Sequence, residues 1–411
     1  MNSNYRNVIV NFVSLALLQV GNYIVPLVLT PYLIIKIGVK EFGVLSFATA
    51  IIMFFRAIIS YGFDLSGTKA IAEVSDDLKE VGKIFQEIIY AKILLSLFCF
   101  ALLVSLTLLI PQFHEVKSLL FALFILAFAD VFFPIWLYQG VQRMKAITIL
   151  KLSSRFIFVG LTMLLVNSSD DTLYIPLIEG SVALISSLVS FSWAIKKFNI
   201  EFHVPNYRRV ISTLRVSWHI FLSKFSVLFY TRFNVVLLGL LSSPIMVGYY
   251  AVAEKIYMAI REMLNPLIQA VFPYLSRLRL NNEEEYNKKI KQFFFVFLIV
   301  LVASSLLLYL SKSYILMMLM KEISQYMQDM LAIFSLCLLF SVGSVLSIVL
   351  IIENRSAVLS RITFFTVLLN LIIVYPLVIK YDAVGLAICF LIVQIAHFIM
   401  QLYVNRIIFF R

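Results

Sequence analysis

Apolar residues recur along this chain in long runs that are separated by short polar stretches. A helix needs about 20 apolar residues to cross the ~30 Å hydrocarbon core of a bilayer. Continuous apolar runs favour helices over barrel strands, in which apolar and polar residues alternate. The pattern predicts an all-α integral membrane protein with about twelve transmembrane helices, at residues 8–35, 42–61, 84–110, 119–138, 147–166, 173–195, 214–241, 247–274, 290–310, 327–352, 358–379 and 383–408.

A polar interruption at residues 196–213 divides the predicted helices into two sets of six. We therefore expect an N-terminal lobe at residues 1–200 and a C-terminal lobe at residues 201–411. The second helix of each set aligns at an offset of 205 residues, which places Arg56 on Arg261 and Gly43 on Gly248. Chance matches occur between apolar helices, but a shared intramembrane arginine favours a parallel repeat about an axis along the membrane normal.

Composition and charge support a membrane protein. The chain is 62% hydrophobic and 14% charged, which excludes an ordinary water-soluble fold. Its net charge of +12 comes from Lys and Arg in alternate loops: twenty-one of the 34 fall on the side of the N-terminus and six on the other. By the positive-inside rule both termini are cytoplasmic, and the excess indicates topology and contact with membrane lipids rather than nucleic acid.

No motif for a metal, a cofactor or ATP is present. The three cysteines, Cys99, Cys337 and Cys389, lie in apolar spans without paired spacing. The chain contains no P-loop, Rossmann glycine pattern or zinc motif. We therefore expect neither a cofactor nor a metal, and no catalytic residue is assigned.

Basic residues within four positions of a span end, Lys151 among them, are counted with the loop charges. Seven others lie further inside the predicted spans, where each costs about 2.5–3.5 kcal/mol at a helix centre. Lys92 and Arg155 lie near span ends and are expected to extend to the membrane surface. The deeper residues are expected to face water inside the protein and to bind substrate. They are Arg56, Arg232, Lys255 and Arg261.

Two interpretations of these charges stay open. Glu254, Lys255, Arg261 and Glu262 on the eighth helix could neutralise one another in buried pairs that hold the halves together. Alternatively, a hydrated cavity presents guanidinium groups to an anionic substrate, and phosphate is the group that arginine binds through two hydrogen bonds. The intramembrane acids Asp130 and Glu179 could couple transport to an ion or simply partner a nearby base, and Glu254 belongs with them.

Several segments together resemble the bacterial polysaccharide-repeat flippases of the O-antigen type, in the superfamily that includes multidrug and lipid II exporters. The resemblance covers the whole chain. It is carried by PYLIIKIGVKEFGVLSFATA (31–50), SYGFDLSGTKAIAE (60–73), WLYQGVQRMKAI (136–147), VGYYAVAEKI (247–256), NPLIQAVFPYLSR (265–277) and NLIIVYPLVIKYDAVGLA (370–387).

The resemblance implies a two-lobed fold whose first, second, seventh and eighth helices line a central cavity that opens to one side at a time. It implies an undecaprenyl-pyrophosphate-linked oligosaccharide as substrate, moved from the cytoplasmic to the periplasmic face of the inner membrane. The further partners that we expect are a proton or sodium ion, which would drive transport, and the polysaccharide polymerase machinery. Asp64 is expected to tie the cytoplasmic end of helix two to its neighbours.

The sequence departs from the family at two positions, because Asp382 stands where Gly is common and Gln394 where an acid is frequent. The second difference weakens the case for a coupling acid there.

Two other functions stay open. A membrane polymerase or ligase of lipid-linked repeats would need reactive groups in the external loops. Those loops are short, the largest being about 15 residues near 311–325, and they hold few polar groups. A drug or cation antiporter would need an acidic, aromatic cavity, which the basic seventh and eighth helices do not favour.

Overall fold

A computed structural model describes residues 3–201, 203, 205–319 and 324–406. Within these ranges the chain forms helices joined by turns and short loops, and contains no strand. A short 3-10 turn, Ser169–Leu173, precedes the eighth α-helix. The α-helices are α1 (Ser3–Ser60), α2 (Phe63–Glu73), α3 (Leu78–Leu109), α4 (Pro111–Glu115), α5 (Lys117–Phe132), α6 (Ile135–Gly140), α7 (Met144–Leu165), α8 (Tyr174–Phe198), α9 (Tyr207–Leu241), α10 (Pro244–Asn281), α11 (Glu283–Leu319), α12 (Gln325–Phe340), α13 (Gly343–Ile352) and α14 (Ser356–Val404).

The two longest helices, α1 and α14, each contain a sharp break. A straight helix of the 58 residues of α1 would be about 87 Å long, far more than a bilayer spans. Gly38 interrupts α1 with φ 79° and ψ 166°, and Asp382 interrupts α14 with φ 53° and ψ −136°. Beyond Asp382 the chain folds back on itself. The closeness of the two segments is visible at Gly385, where an added Cβ would lie 2.0 Å from the carbonyl oxygen of Leu377. Each helix therefore provides two spans.

Eight helices in the described part of the chain are long and apolar enough to cross a membrane, or nine when the bent segments of α9 are counted as one span. The strongly charged α10 is not among the eight. The twelve predicted spans fall on the α-helices of the described ranges, α10 included, apart from a few residues at span ends and at the breaks after Phe132 and Phe340; residues 407–408 are outside the described ranges. The prediction of an all-α, multi-pass membrane protein is confirmed.

The chain divides into two compact units, Met1–Val236 and Leu237–Arg411. The core of the first unit combines aliphatic side chains with large aromatic ones, among them the buried Phe63, Phe85, Trp136 and Tyr138. The core of the second unit is formed by α11 and α13 and includes Tyr286, Phe294 and Leu346. The predicted boundary near residue 200 between two six-helix lobes stays a prediction.

Candidate functional site

The predicted substrate contact Arg56 forms an ion pair with the predicted coupling or structural acid Asp130. Nε of Arg56 donates to Oδ2 of Asp130 at 2.7 Å, and Nη2 donates to Oδ1 at 3.3 Å. The pair joins α1 to α5 across 74 residues of sequence. The planar guanidinium forms bidentate hydrogen bonds of this kind with a carboxylate, and it binds a phosphate in the same way. About a third of each side chain stays exposed, 36% for Arg56 and 32% for Asp130.

Pro134 explains why the helix carrying Asp130 ends there. A proline has no N–H and clashes with the carbonyl four residues earlier, which here belongs to Asp130. The α-helix accordingly stops at Phe132 and resumes at Ile135. The freed carbonyl of Asp130 accepts a hydrogen bond from Nζ of Lys92 at 2.6 Å. Lys92 therefore closes the break in the helix.

Lys92 is buried, with 4% of its surface exposed, and its ammonium group lies 4.6 Å from the ring centroid of Trp136 on α6. The prediction that Lys92 extends to the membrane surface is therefore wrong. Cation–π attraction and a carbonyl at the end of a helix both stabilise the buried charge. One side chain of α3 thus contacts both sides of the break between α5 and α6.

Further charges surround this pair. Lys151 on α7 and Lys92 both act electrostatically on Asp130. Glu179 on α8 acts on Arg56 and on Arg155. The predicted acids Asp130 and Glu179 and the predicted base Arg56 therefore belong to one group, which also contains three bases that the sequence did not place there.

Asp64 lies in the first turn of α2 and forms an ion pair with Lys224 on α9. Its backbone carbonyl accepts a hydrogen bond from the hydroxyl of Thr68 at 2.6 Å. Nearby, the ring of Tyr61 stacks on Phe221 of α9, with 4.6 Å between centroids. Asp64 thus links the start of α2, just after the second predicted span, to α9, which carries the seventh. These contacts fit the role expected for Asp64 as a tie between neighbouring helices.

The remaining predicted residues lie on α9 and α10. Arg232 is half-buried on α9 in the first unit, whereas Glu254 is buried and Lys255 is exposed on α10 in the second. Arg261 on α10 interacts electrostatically with Tyr257 and with His397. The four predicted substrate contacts are therefore shared between two units, two residues in each.

A polar network surrounds Tyr257 and His397 in the second unit. Nε2 of Gln394 donates to the hydroxyl of Tyr257 at 3.2 Å, and that hydroxyl lies 3.3 Å from Oγ of Ser341. Nε2 of Gln401 is 2.9 Å from Nε2 of His397. Position 394 thus carries a neutral hydrogen-bond donor in this chain. Within the described ranges no group of three His, Cys, Asp or Glu side chains could hold a metal ion.

Some of the contacts that the sequence analysis did not predict have a recognisable signal in the sequence. Lys151 was counted with the loop charges, although it lies in α7 with its ammonium 4.9 Å from the ring of Phe133. The spacing of four residues between Asp130 and Pro134 was visible and predicts a freed carbonyl. Nothing in the sequence indicated that a base 38 residues earlier would bind it.

Comparison with known proteins places this geometry in a family. A family model described as "Polysaccharide biosynthesis protein" matches residues 8–279. The chain belongs to this family. It is 29% identical over 393 residues to a protein of Escherichia coli strain K12 that bears the name "Putative O-antigen transporter", and the match covers 95% of each chain.

Solved transporter structures share the fold. The lipid II flippase MurJ, in an inward closed conformation, is similar with a TM-score of 0.68 and 17% identity, covering 97% of this chain and 87% of the other. An inward-facing multidrug transporter of the MATE family is similar with a TM-score of 0.61 and 15% identity, covering 95% and 93%. At these identities the likeness concerns the fold alone. The chain is therefore a membrane protein of the polysaccharide biosynthesis family that has the fold of these transporters.

Proposed function

We propose that this protein is a flippase for undecaprenyl-pyrophosphate-linked oligosaccharide repeat units. In this proposal it moves them from the cytoplasmic to the periplasmic face of the bacterial inner membrane by alternating access, with both termini in the cytoplasm. Its relative of 29% identity, matched over nearly the whole of both chains, carries the name of an O-antigen transporter, and this observation carries the proposal. A proton or sodium gradient is the proposed driving force, and the polymerase machinery is the proposed recipient.

The charges of the first unit support an anionic substrate. Five basic side chains and three acids lie in or beside the group around Asp130, so positive charge exceeds negative by two. A pyrophosphate linkage is anionic and offers the oxygens that guanidinium and ammonium groups bind. The basic members are Arg56, Lys92, Lys151, Arg155 and Lys224, and the acidic members are Asp64, Asp130 and Glu179.

We assign substrate contact to Arg56 and Arg232 in the first unit and to Lys255 and Arg261 in the second. The contribution of α10 is supported by its charge, since an exposed Lys255 and a half-buried Arg261 are costly against lipid. Glu179 and Glu254 are the acids that we propose for ion coupling or for stabilising these bases.

A liposome assay tests the proposal. The purified protein is reconstituted with lipid-linked oligosaccharide, and the fraction that an external glycosidase can cleave is followed in time, with and without proton and sodium gradients. We expect protein-dependent exposure that is lost in Arg56→Gln. The matched control is Arg208→Gln, because Arg208 is exposed at the start of α9 and contacts only Tyr207 in the interactions described. No exposure under any gradient would contradict a flippase.

A further inference from the structure

The contact between Arg56 and Asp130 has the form that a phosphate contact with Arg56 would take. One edge of the guanidinium, formed by Nε and Nη2, is used by the Asp130 carboxylate. Carboxylate and phosphate both accept two parallel N–H bonds from arginine. Asp130 therefore occupies an edge of Arg56 that suits a substrate phosphate, and the two anions compete for that edge.

The pair is only partly enclosed. About a third of each side chain is exposed, so the surrounding helices do not seal the pair. A fully buried pair costs about 3–5 kcal/mol to break by removal of one partner, whereas an exposed pair is worth about 1 kcal/mol or less. The free energy needed to separate a pair that is about one-third exposed lies between these limits, which suits an exchange of partners.

Asp130 also has other cations close by when Arg56 is engaged elsewhere. Lys151 on α7 and Lys92 on α3 both act on its carboxylate, and Lys92 is fixed by the hydrogen bond to the backbone of the same residue. The carboxylate thus keeps favourable electrostatic partners after it leaves Arg56.

We propose that Asp130 is a displaceable internal anion, which holds Arg56 in the empty transporter, yields it to the substrate phosphate, and takes it back to expel the substrate. This inference rests on the proposed function, since it concerns how an anionic substrate is bound and released. No covalent bond changes: two hydrogen bonds from Arg56 are exchanged between a carboxylate and a phosphate. Asp130 thereby prevents tight binding that would slow release.

Binding of inorganic pyrophosphate to the purified full-length protein tests the exchange by isothermal titration. Removing the competing charge with Asp130→Asn is expected to tighten binding about tenfold, which corresponds to about 1.4 kcal/mol. Arg56→Gln is expected to weaken binding, and the double variant is expected to bind like Arg56→Gln alone. Asp329→Asn is the matched control, because it changes the net charge equally at an exposed site bonded to Gln325.

Two further measurements separate exchange from a structural role. Asp130→Glu keeps a competing carboxylate, so its affinity for pyrophosphate is expected to stay within about threefold of the wild type if exchange operates. In the glycosidase assay Asp130→Asn is expected to lower the maximal rate and also the half-saturating substrate concentration. A purely structural role would lower the rate without tighter binding.

The outcomes are distinct. Equal or weaker pyrophosphate binding by Asp130→Asn, or no binding by any variant, overturns the exchange, even if the liposome assay shows flipping. Tighter binding by Asp130→Asn that depends on Arg56 supports the exchange, even if lipid-linked oligosaccharide is not flipped, in which case the proposed function fails alone. Thermal unfolding of each variant verifies that it is folded.

Discussion

The hydrogen bond from Lys92 to the carbonyl of Asp130 leads to a quantitative prediction. Replacing Lys92 by Met keeps an unbranched apolar side chain of similar length but removes the donor. The buried carbonyl then loses its partner, which costs about 1–3 kcal/mol. Loss of the cation–π contact with Trp136 adds about 0.5–2 kcal/mol. Because Lys92 is also a buried charge whose desolvation is costly, removing it recovers part of this sum.

A double-mutant cycle with Pro134→Ala isolates the hydrogen bond from the other contributions. Alanine at 134 supplies the N–H that proline lacks, so the carbonyl of Asp130 regains a donor within its own helix. The changes in cation–π contact and desolvation are the same in both backgrounds and cancel. We expect Lys92→Met to cost about 1–3 kcal/mol less in the Pro134→Ala background than in the wild type.

The free energy of unfolding is measured in detergent by circular dichroism. Pro376→Ala is the control background, because this proline lies within α14 of the second unit. Distant sites are additive to about 0.3–0.5 kcal/mol, so Lys92→Met is expected to cost the same there as in the wild type. Equal costs of Lys92→Met in the wild-type and Pro134→Ala backgrounds would refute the role of Lys92 in closing the helix break.

Two further predictions concern the backbone. Gly140→Ala is expected to destabilise the protein by about 1–3 kcal/mol, because the added methyl group would lie 2.6 Å from Cγ2 of Ile71. Gly160→Ala is the control, since an added methyl group there would meet nothing within 4 Å. This control is expected to be neutral or to stabilise α7 by up to about 1 kcal/mol. Asp382→Gly is expected to relieve about 1 kcal/mol of strain at positive φ when compared in a Ser242→Ala background, since Ser242 donates to the Asp382 carboxylate. Thermal and denaturant unfolding measure each change, and a cost for Gly160→Ala equal to that of Gly140→Ala would contradict the packing argument.

The hydrophobic pattern was sufficient to predict the helices. A span in lipid must satisfy every backbone group internally, so long apolar runs leave only one local structure. The pattern also separated 8–35 from 42–61 and 358–379 from 383–408, although both junctions have nearly helical backbone apart from one residue each, Gly38 and Asp382. Local chemistry therefore determines the elements.

The pairing of charges was not predictable in the same way. Arg56 and Asp130 are 74 residues apart, and Lys92 and Asp130 are 38 apart, so no helical spacing relates them. The sequence left Asp130 as either a coupling acid or a partner for a nearby base, and the structure supplies Arg56 as that base. The wrong prediction for Lys92 has a physical cause. The prediction assumed that lipid surrounds the Lys92 side chain, so that its ammonium group must reach the membrane surface. Instead, the helix break at Pro134 frees a carbonyl inside the protein that accepts a hydrogen bond from Lys92.

The two units solve the problem of a broken span with different chemistry. In the first, a 16-residue helix, α5, is followed after Pro134 by the short α6, and a buried ammonium group binds the freed carbonyl. In the second, the 16-residue α12 is followed by the short α13, and the hydroxyls of Ser341 and Ser344 bond to carbonyls of Cys337 and Ser341.

A serine satisfies a carbonyl without adding charge, whereas a lysine also contributes a positive potential. Lys92 therefore closes the helix break and also attracts the Asp130 carboxylate in competition with Arg56. A neutral hydrogen-bond donor in place of Lys92 would still satisfy the freed carbonyl and preserve the fold. Without the positive charge of Lys92, however, the Asp130 carboxylate would be held more strongly by Arg56. The choice of lysine at this position links the repair of a helix to the availability of an arginine for substrate.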